Sequence, residues 1–159
     1  MSSHVARLLV LGTLFSVPVA AQLATATAYG AGCPQPLFGL TPAGLPQLGS
    51  SFALALPPNT CPNPGGSWCL PVFALGLAQA NAAFVVPGFG LGTGCTILVS
   101  PDVLITSATE TLVINIPNQT ALIGFAFYVQ GSVLSVPSVF PAPPTAISFT
   151  NGVHCTIGL

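Results

Sequence analysis

Very few side chains in this sequence could do acid–base, nucleophilic or metal chemistry. The whole chain holds two acids, Asp102 and Glu110, one Lys/Arg residue, Arg7, and two histidines, His4 and His154. Charged residues make up 2% of it, against about a quarter in an average globular protein. Two carboxylates could serve a glycosidase, one as acid and one as base or nucleophile. That chemistry also needs flanking aromatics and polar donors, which the neighbourhoods of Asp102 and Glu110 lack. Asp102 follows Ser100-Pro101, and proline then aspartate is ordinary turn chemistry. Glu110 lies between Thr109 and Thr111, on a polar stretch that predicts a solvent-facing strand position.

His154 alternates with Val153 and Cys155 and should point outward from the last strand, exposed and without a task. A Ser-His-Asp site would need it beside Asp102 and a serine. No GxSxG elbow is present, and neither Gly49-Ser50-Ser51 nor Gly131-Ser132-Val133 has the strained turn context. A His154–Cys155 dyad is geometrically poor, because adjacent strand residues face opposite sides. The reading therefore assigns no catalytic residue and no cofactor, with an unrecognised hydrolase as the remote enzymatic alternative. Phosphate, nucleotide and nucleic-acid binding depend on Lys or Arg, and Arg7 is the only such residue. The stretch from Gly88 to Gly94 is glycine-rich but lacks the P-loop lysine. Calcium needs clustered acids and zinc needs clustered Cys or His; there is no CxxC pair, so no metal is expected.

Trp68 is the residue with a real binding option. An indole face can stack on a sugar while Asn, Gln and Ser supply hydrogen bonds. The competing reading packs Trp68 over a neighbouring disulfide.

The first 21 residues have the form of a secretory signal: Arg7, an apolar run from Leu8 to Phe15, Pro18, then Val19-Ala20-Ala21. The run is short for a bilayer span of about 20 residues. Proline or glycine interrupts the later apolar runs, so no transmembrane span is expected in the mature chain. A small outer-membrane barrel would need aromatic girdles and regular spans, and prolines fall inside the would-be spans. Export makes the five cysteines readable as disulfides. Two bridges among five can be drawn in about fifteen ways. The local choice is Cys61–Cys69, closing a segment of turn formers. The second is Cys33–Cys95, which leaves Cys155 as a free thiol.

Residues 22–32 are small and neutral and are expected to form a flexible lead-in to a single domain over 33–159. Within it, apolar residues recur with period two: Phe52, Leu54, Leu56; Phe73, Leu75, Leu77; Cys95, Ile97, Val99; Leu112, Ile114, Ile116; and Ile123, Phe125, Phe127, Val129. Ile147 and Phe149 precede Asn151-Gly152, then Val153, Cys155 and Ile157, a pattern that predicts a hairpin. Short strands separated by Pro, Gly and Asn imply an all-β antiparallel sandwich, immunoglobulin-like or jelly-roll-like. One helical turn is predicted at Asn118 to Leu122, with Asn118 as cap, and Pro137 to Pro144 as a loop or edge segment. Outward positions carry Thr, Ser, Ala, Gln and Asn where other sheets carry Lys and Glu, so protection against edge-to-edge pairing must come from proline, glycine and short strands.

Several short motifs occur in one order: Tyr29-Gly30-Ala31-Gly32-Cys33, Leu45-Pro46-Gln47-Leu48-Gly49, Gly94-Cys95 through Ser100-Pro101-Asp102, Ile116-Pro117-Asn118 through Tyr128-Val129-Gln130, and Thr150-Asn151-Gly152-Val153-His154-Cys155-Thr156-Ile157-Gly158. Over Tyr29 to Leu159 the chain resembles a family of secreted, charge-poor β domains abundant in planctomycete-type bacteria. The resemblance implies no activity and no catalytic residue. It implies that Cys33 and Cys95 are family features, that the Cys61 to Cys69 loop is a local addition, and that Cys155 is unpaired.

The combined expectation is a non-catalytic exported module, secreted or at the cell surface. Its work would be structural contact, through self-association or an envelope or extracellular polymer. Carbohydrate binding through Trp68 is the alternative.

Overall fold

The computed structural model describes residues 22–33, 39–58, 67–86, 91–137 and 144–159. Residues 1–21, Cys61 and most of the proline-rich segment lie outside these residues. Alternating β-formers dominate what is described, and they build strands β1 (Thr25–Tyr29), β2 (Thr41–Ala43), β3 (Ser51–Ala55), β4 (Ser67–Gly76) and β5 (Gln79–Val86). The chain continues through β6 (Leu91–Val99), β7 (Val103–Thr106), β8 (Thr111–Asn115), β9 (Ala126–Pro137) and β10 (Ala146–Thr156). A five-stranded antiparallel sheet has the order β1-β10-β9-β4-β7, and a three-stranded one the order β2-β3-β8. The fold is all-β and antiparallel, as the period-two pattern predicts.

The core lies between these two sheets. Phe52 and Leu54 of β3 and Leu112 of β8 face Phe73 of β4, Val129 and Val133 of β9, and Val153 and Cys155 of β10. Each is a member of an alternating set, so one strand face is buried while the residues between point away. The alternation fails at its ends. Leu77 and Phe125 are exposed, because Leu77 follows the last residue of β4 and Phe125 precedes the first of β9.

On the other face of the five-stranded sheet lies the antiparallel pair β5-β6. The Cys33–Cys95 disulfide ties it down, with Cα atoms 5.3 Å apart. The Phe84 and Phe149 rings meet edge-on at 4.8 Å. Gln130, facing outward on β9, is 2% exposed because β6 covers it. Its Oε1 accepts the Leu98 N–H at 2.9 Å, and its Nε2 donates to the carbonyls of Thr96 and Thr150.

Three expectations need correction. Residues 22–32 are not a loose lead-in: Thr25–Tyr29 is an edge strand in register with β10, from Thr25↔Thr156 to Tyr29↔Gly152. The Leu159 N–H donates to the Gln22 carbonyl, and Ala24 is buried. The small side chains hid a strand whose main contribution is backbone pairing. Second, Asn151-Gly152 does not turn a hairpin. It is a register shift inside one long strand, β10, which pairs with β9 on one side and β1 on the other. Asn151 Oδ1 accepts the Leu40 N–H, and a Cβ on Gly152 would overlap the Tyr29 ring. Glycine is needed there for close approach rather than for positive φ. Third, the helical turn is a 3-10 turn at Thr120–Leu122 preceded by Gln119, with no side-chain cap. Gly124, at φ 82°, restores the chain direction, and its N–H donates to Ile157.

The disulfide closes a separation of 62 residues. Replacing Cys33 and Cys95 together with serine should cost about 4 kcal/mol through the regained entropy of the unfolded chain. Urea denaturation monitored by near-UV circular dichroism checks this.

Candidate functional site

Asp102 occupies the exposed turn between β6 and β7. Its Oδ2 accepts the Leu77 N–H at 2.9 Å and the Ser100 hydroxyl at 3.1 Å, while Ser100 Oγ accepts the Ala78 N–H. The carboxylate thus stitches the β6–β7 turn to the β4–β5 turn, the turn role its sequence context predicts. Gly76 permits this: a Cβ there would overlap the Ser100 carbonyl. Glu110 is half-buried in a bend just before β8 rather than on a strand. The Ser107 and Thr109 hydroxyls build that bend by bonding to the Thr111 carbonyl, and the Glu110 carbonyl accepts the Leu56 N–H.

His154 is half-buried rather than free in solvent. Its ring stacks on Tyr128 with centroids 4.7 Å apart and planes 17° apart, and Tyr128 meets Tyr29 edge-on at 6.0 Å. The Tyr29 hydroxyl donates to the Leu98 carbonyl at 2.8 Å, so this ladder also fastens β6 to the sheet. Cys155, one residue along, faces the core, is 0% exposed and is a free thiol. Burial pushes its pKa up to about 12, so it stays protonated and is a poor nucleophile. Asp102 and His154 thus belong to separate contact sets, and no hydrogen bond joins them among the described residues. Nor do three His, Cys, Asp or Glu side chains gather there. Cys69 is disulfide-bonded; the expected partner, Cys61, lies outside the described residues.

Trp68 lies on β4, not in a loop, and is 72% exposed. Strand alternation sends Trp68 and Cys69 to opposite faces, and Cys69 packs against the core. The indole is thus turned away from Cys69, and the Cys61 end of the expected disulfide lies outside the described residues. Its register neighbours run along the outer face: Trp68↔Val136, Leu70↔Leu134, Val72↔Ser132 and Ala74↔Gln130. On the flanking strand Leu104, opposite Ala74, is exposed too. The sequence holds this second apolar set, Trp68, Leu70, Val72 and Ala74, but the interleaved set of Phe73, Leu75 and Leu77 carries the stronger periodicity.

That face holds a trough of about 300 Å³ between the sheet and the β5-β6 pair, lined by Val72, Ala74, Phe84, Leu134 and Phe149 among others. Its polar groups are already engaged: Gln130 makes three internal hydrogen bonds and Ser132 donates to the Val72 carbonyl. A second cavity of about 410 Å³ opens where the sheets splay, with Leu77, Val103 and Phe125 at its rim beside Asp102. Both surfaces offer apolar contact. No protein-family model, curated protein or solved structure matches the chain.

Burial, then the charges of Tyr128 and Cys155, raises the Tyr29 pKa to about 12. Tyr29 and Cys155 both hold their protons more tightly when folded than when unfolded, where they titrate near 10 and 9. Their stabilisation is complete below about pH 9 and is lost as pH rises towards 12. The melting temperature should therefore be flat from about pH 5 to 8 and fall above about pH 9. Cys155→Ala should delay the fall to about pH 10, where Tyr29 titrates in the unfolded chain; thermal scans across a pH series read this directly.

Proposed function

We propose that this chain is a non-catalytic, exported module that acts by contact at or outside the cell surface, using the outer face of its five-stranded sheet. The observation that carries this reading is Trp68, 72% exposed at the end of an apolar row through Leu70, with Leu104 exposed on the flanking strand. Exposed apolar residues gathered in a row, rather than scattered singly, are the mark of an interaction site. Export is supported by the leader motif around Arg7 and Val19-Ala20-Ala21 and by the Cys33–Cys95 disulfide. No helix among the described residues is long and apolar enough to cross a membrane. The resemblance to secreted charge-poor β domains points the same way.

The exposure of Trp68 also favours a more specific reading, an aromatic platform for an extracellular polysaccharide. An indole free on one face can cover the C–H surface of a sugar ring. The Trp68 neighbourhood carries no Lys, Arg, Asp or Glu, so affinity should depend little on salt.

Cosedimentation with cell-envelope material and a polysaccharide panel tests both readings. Wild-type chain should bind, Trp68→Ala should bind at least about tenfold more weakly with an unchanged melting temperature, and raising salt from about 0.05 to 0.5 M should change little. Equal binding by both proteins would move the contact away from Trp68. No binding to any of these materials would remove the proposal.

A further inference from the structure

Strand β7 ends the five-stranded sheet, and its pairing pattern leaves a defined set of backbone groups open. It pairs with β4 from Val72↔Thr106 to Leu75↔Val103. One step further, the Ser107 N–H donates to the Pro71 carbonyl at 3.1 Å. In an antiparallel ladder hydrogen-bonded and non-hydrogen-bonded pairs alternate. Val103, Ile105 and Ser107 therefore turn their N–H and C=O groups towards β4, and Leu104 and Thr106 turn theirs away. Among the described residues no strand meets that side, and Leu104 and Thr106 are exposed.

Natural sheets protect such an edge by keeping it short or with lysine, an inward charge, proline or a bulge. The run Val103-Leu104-Ile105-Thr106 is short, at four residues, but carries none of the other devices and consists of strand-forming residues. Asp102, just before it, is the nearest charge, and its carboxylate is turned to Ser100 and Leu77.

We propose that this edge pairs antiparallel with the same edge of a second copy, about a two-fold axis at Ile105. The register follows from the open groups. With Ile105 opposite the partner's Ile105, Leu104 stands opposite the partner's Thr106 and Thr106 opposite the partner's Leu104. Every outward N–H and C=O of the strand then finds a partner, giving four hydrogen bonds. The outer face of one sheet continues into the outer face of the other, and core face into core face. A register centred on Leu104 would need the Asp102 N–H, which already donates to the Ser100 carbonyl at 2.9 Å. In the Ile105 register the two Asp102 carboxylates fall at opposite ends of the pair, so no like charges oppose.

The fit to a second copy rests on this self-complementarity: the strand presents as many donors as acceptors, in an order its own reverse can meet, and no charge that would select an unlike partner. Four bonds from a four-residue strand make a small interface, so dissociation is expected on the order of micromolar to millimolar. This pairing uses the edge and does not rest on the contact reading of the outer face, so either can fail alone.

Sedimentation velocity from about 1 μM to 1 mM tests it, together with cysteine cross-linking. Wild-type mass should rise towards that of a dimer. Thr106→Pro, which removes an outward N–H and no bond to β4, should stay monomeric at concentrations where the wild type has dimerised, with the circular dichroism spectrum unchanged. Ile105→Cys should form a disulfide-linked dimer on mild oxidation, because a non-hydrogen-bonded antiparallel pair brings Cα atoms to about 4.5 Å, within disulfide reach. Val103→Cys should not, since Val103 stands opposite the partner's Ser107. A wild-type monomer throughout, undiminished dimer in a folded Thr106→Pro, or equal cross-linking at the two positions would each overturn the proposal. Binding of a foreign strand peptide to this edge by a chain that stays monomeric would overturn it too.

Discussion

The side-chain amide of Gln130 is the interaction on which the layering depends. It sits 2% exposed between the five-stranded sheet and β6, with its oxygen on the Leu98 N–H and its nitrogen on the carbonyls of Thr96 and Thr150. One side chain thus satisfies backbone groups on β6 and β10 that would otherwise be buried without partners. Leaving such groups unpaired costs about 1–3 kcal/mol each. Next to it, Thr150 Oγ1 accepts the Gly131 N–H, and a Cβ on Gly131 would meet Leu56, Thr150 and Leu40. The irregular stretch of β10 can therefore exist because amide, hydroxyl and glycine fit one another there. The Cys33–Cys95 disulfide and the Tyr29 hydroxyl hold the same interface at other points along β6.

The absence of charge gives these neutral bonds their weight. In most surfaces carboxylates and ammonium groups fix turns and strand ends. Here, Asp102 apart, hydroxyls and amides do it: Ser51 donates to Asn115 Oδ1, Ser107 and Thr109 close a bend on the Thr111 carbonyl, and Thr145 reaches Ser135. No buried side-chain nitrogen or oxygen among the described residues lacks a partner. Such bonds act at short range and depend on geometry, whereas ion pairs act at a distance and respond to salt. The fold is held by contacts that change little until a buried thiol or phenol is deprotonated.

Much of this was legible in the sequence where one physical pattern dominated. The faces of Phe52-Leu54-Leu56 and Val153-Cys155-Ile157 face the core because period-two apolar runs have no better way to exclude water. The Asp102 turn was legible from Ser-Pro-Asp. Strand β1 was not, since Thr-Ala-Thr-Ala-Tyr has little apolar contrast and owes its place to pairing with β10. Asn151-Gly152 misled for the opposite reason: local turn chemistry was strong, but strands on both sides and the Tyr29 ring above Gly152 outweighed it. The burial of Gln130 depends on a third layer that no local signal announces, and the stacking of His154 on Tyr128 depends on the β9–β10 register that sets them opposite each other. The chemistry of Trp68 is legible in the sequence, but its exposure follows from the strand parity that sends Cys69 inward.

The same neutrality bears on how the molecule can meet other surfaces. Complementary charge raises association rates by steering partners from a distance, and without it protein encounters proceed at about 10⁵–10⁶ M⁻¹s⁻¹. A chain with two acids and one Lys/Arg residue has little field to steer with. It also has little repulsion to keep copies or polymers apart, so its contacts are governed by shape, apolar area and open backbone groups. The face containing Trp68 offers the first two and the outer side of β7 offers the third. They are adjacent, because Leu104 belongs to both: its side chain lies on the outer face while its N–H and C=O point along the edge. An assembly built through that edge would place two apolar faces side by side in one continuous surface. Joining the two faces would widen the contact area without adding a residue.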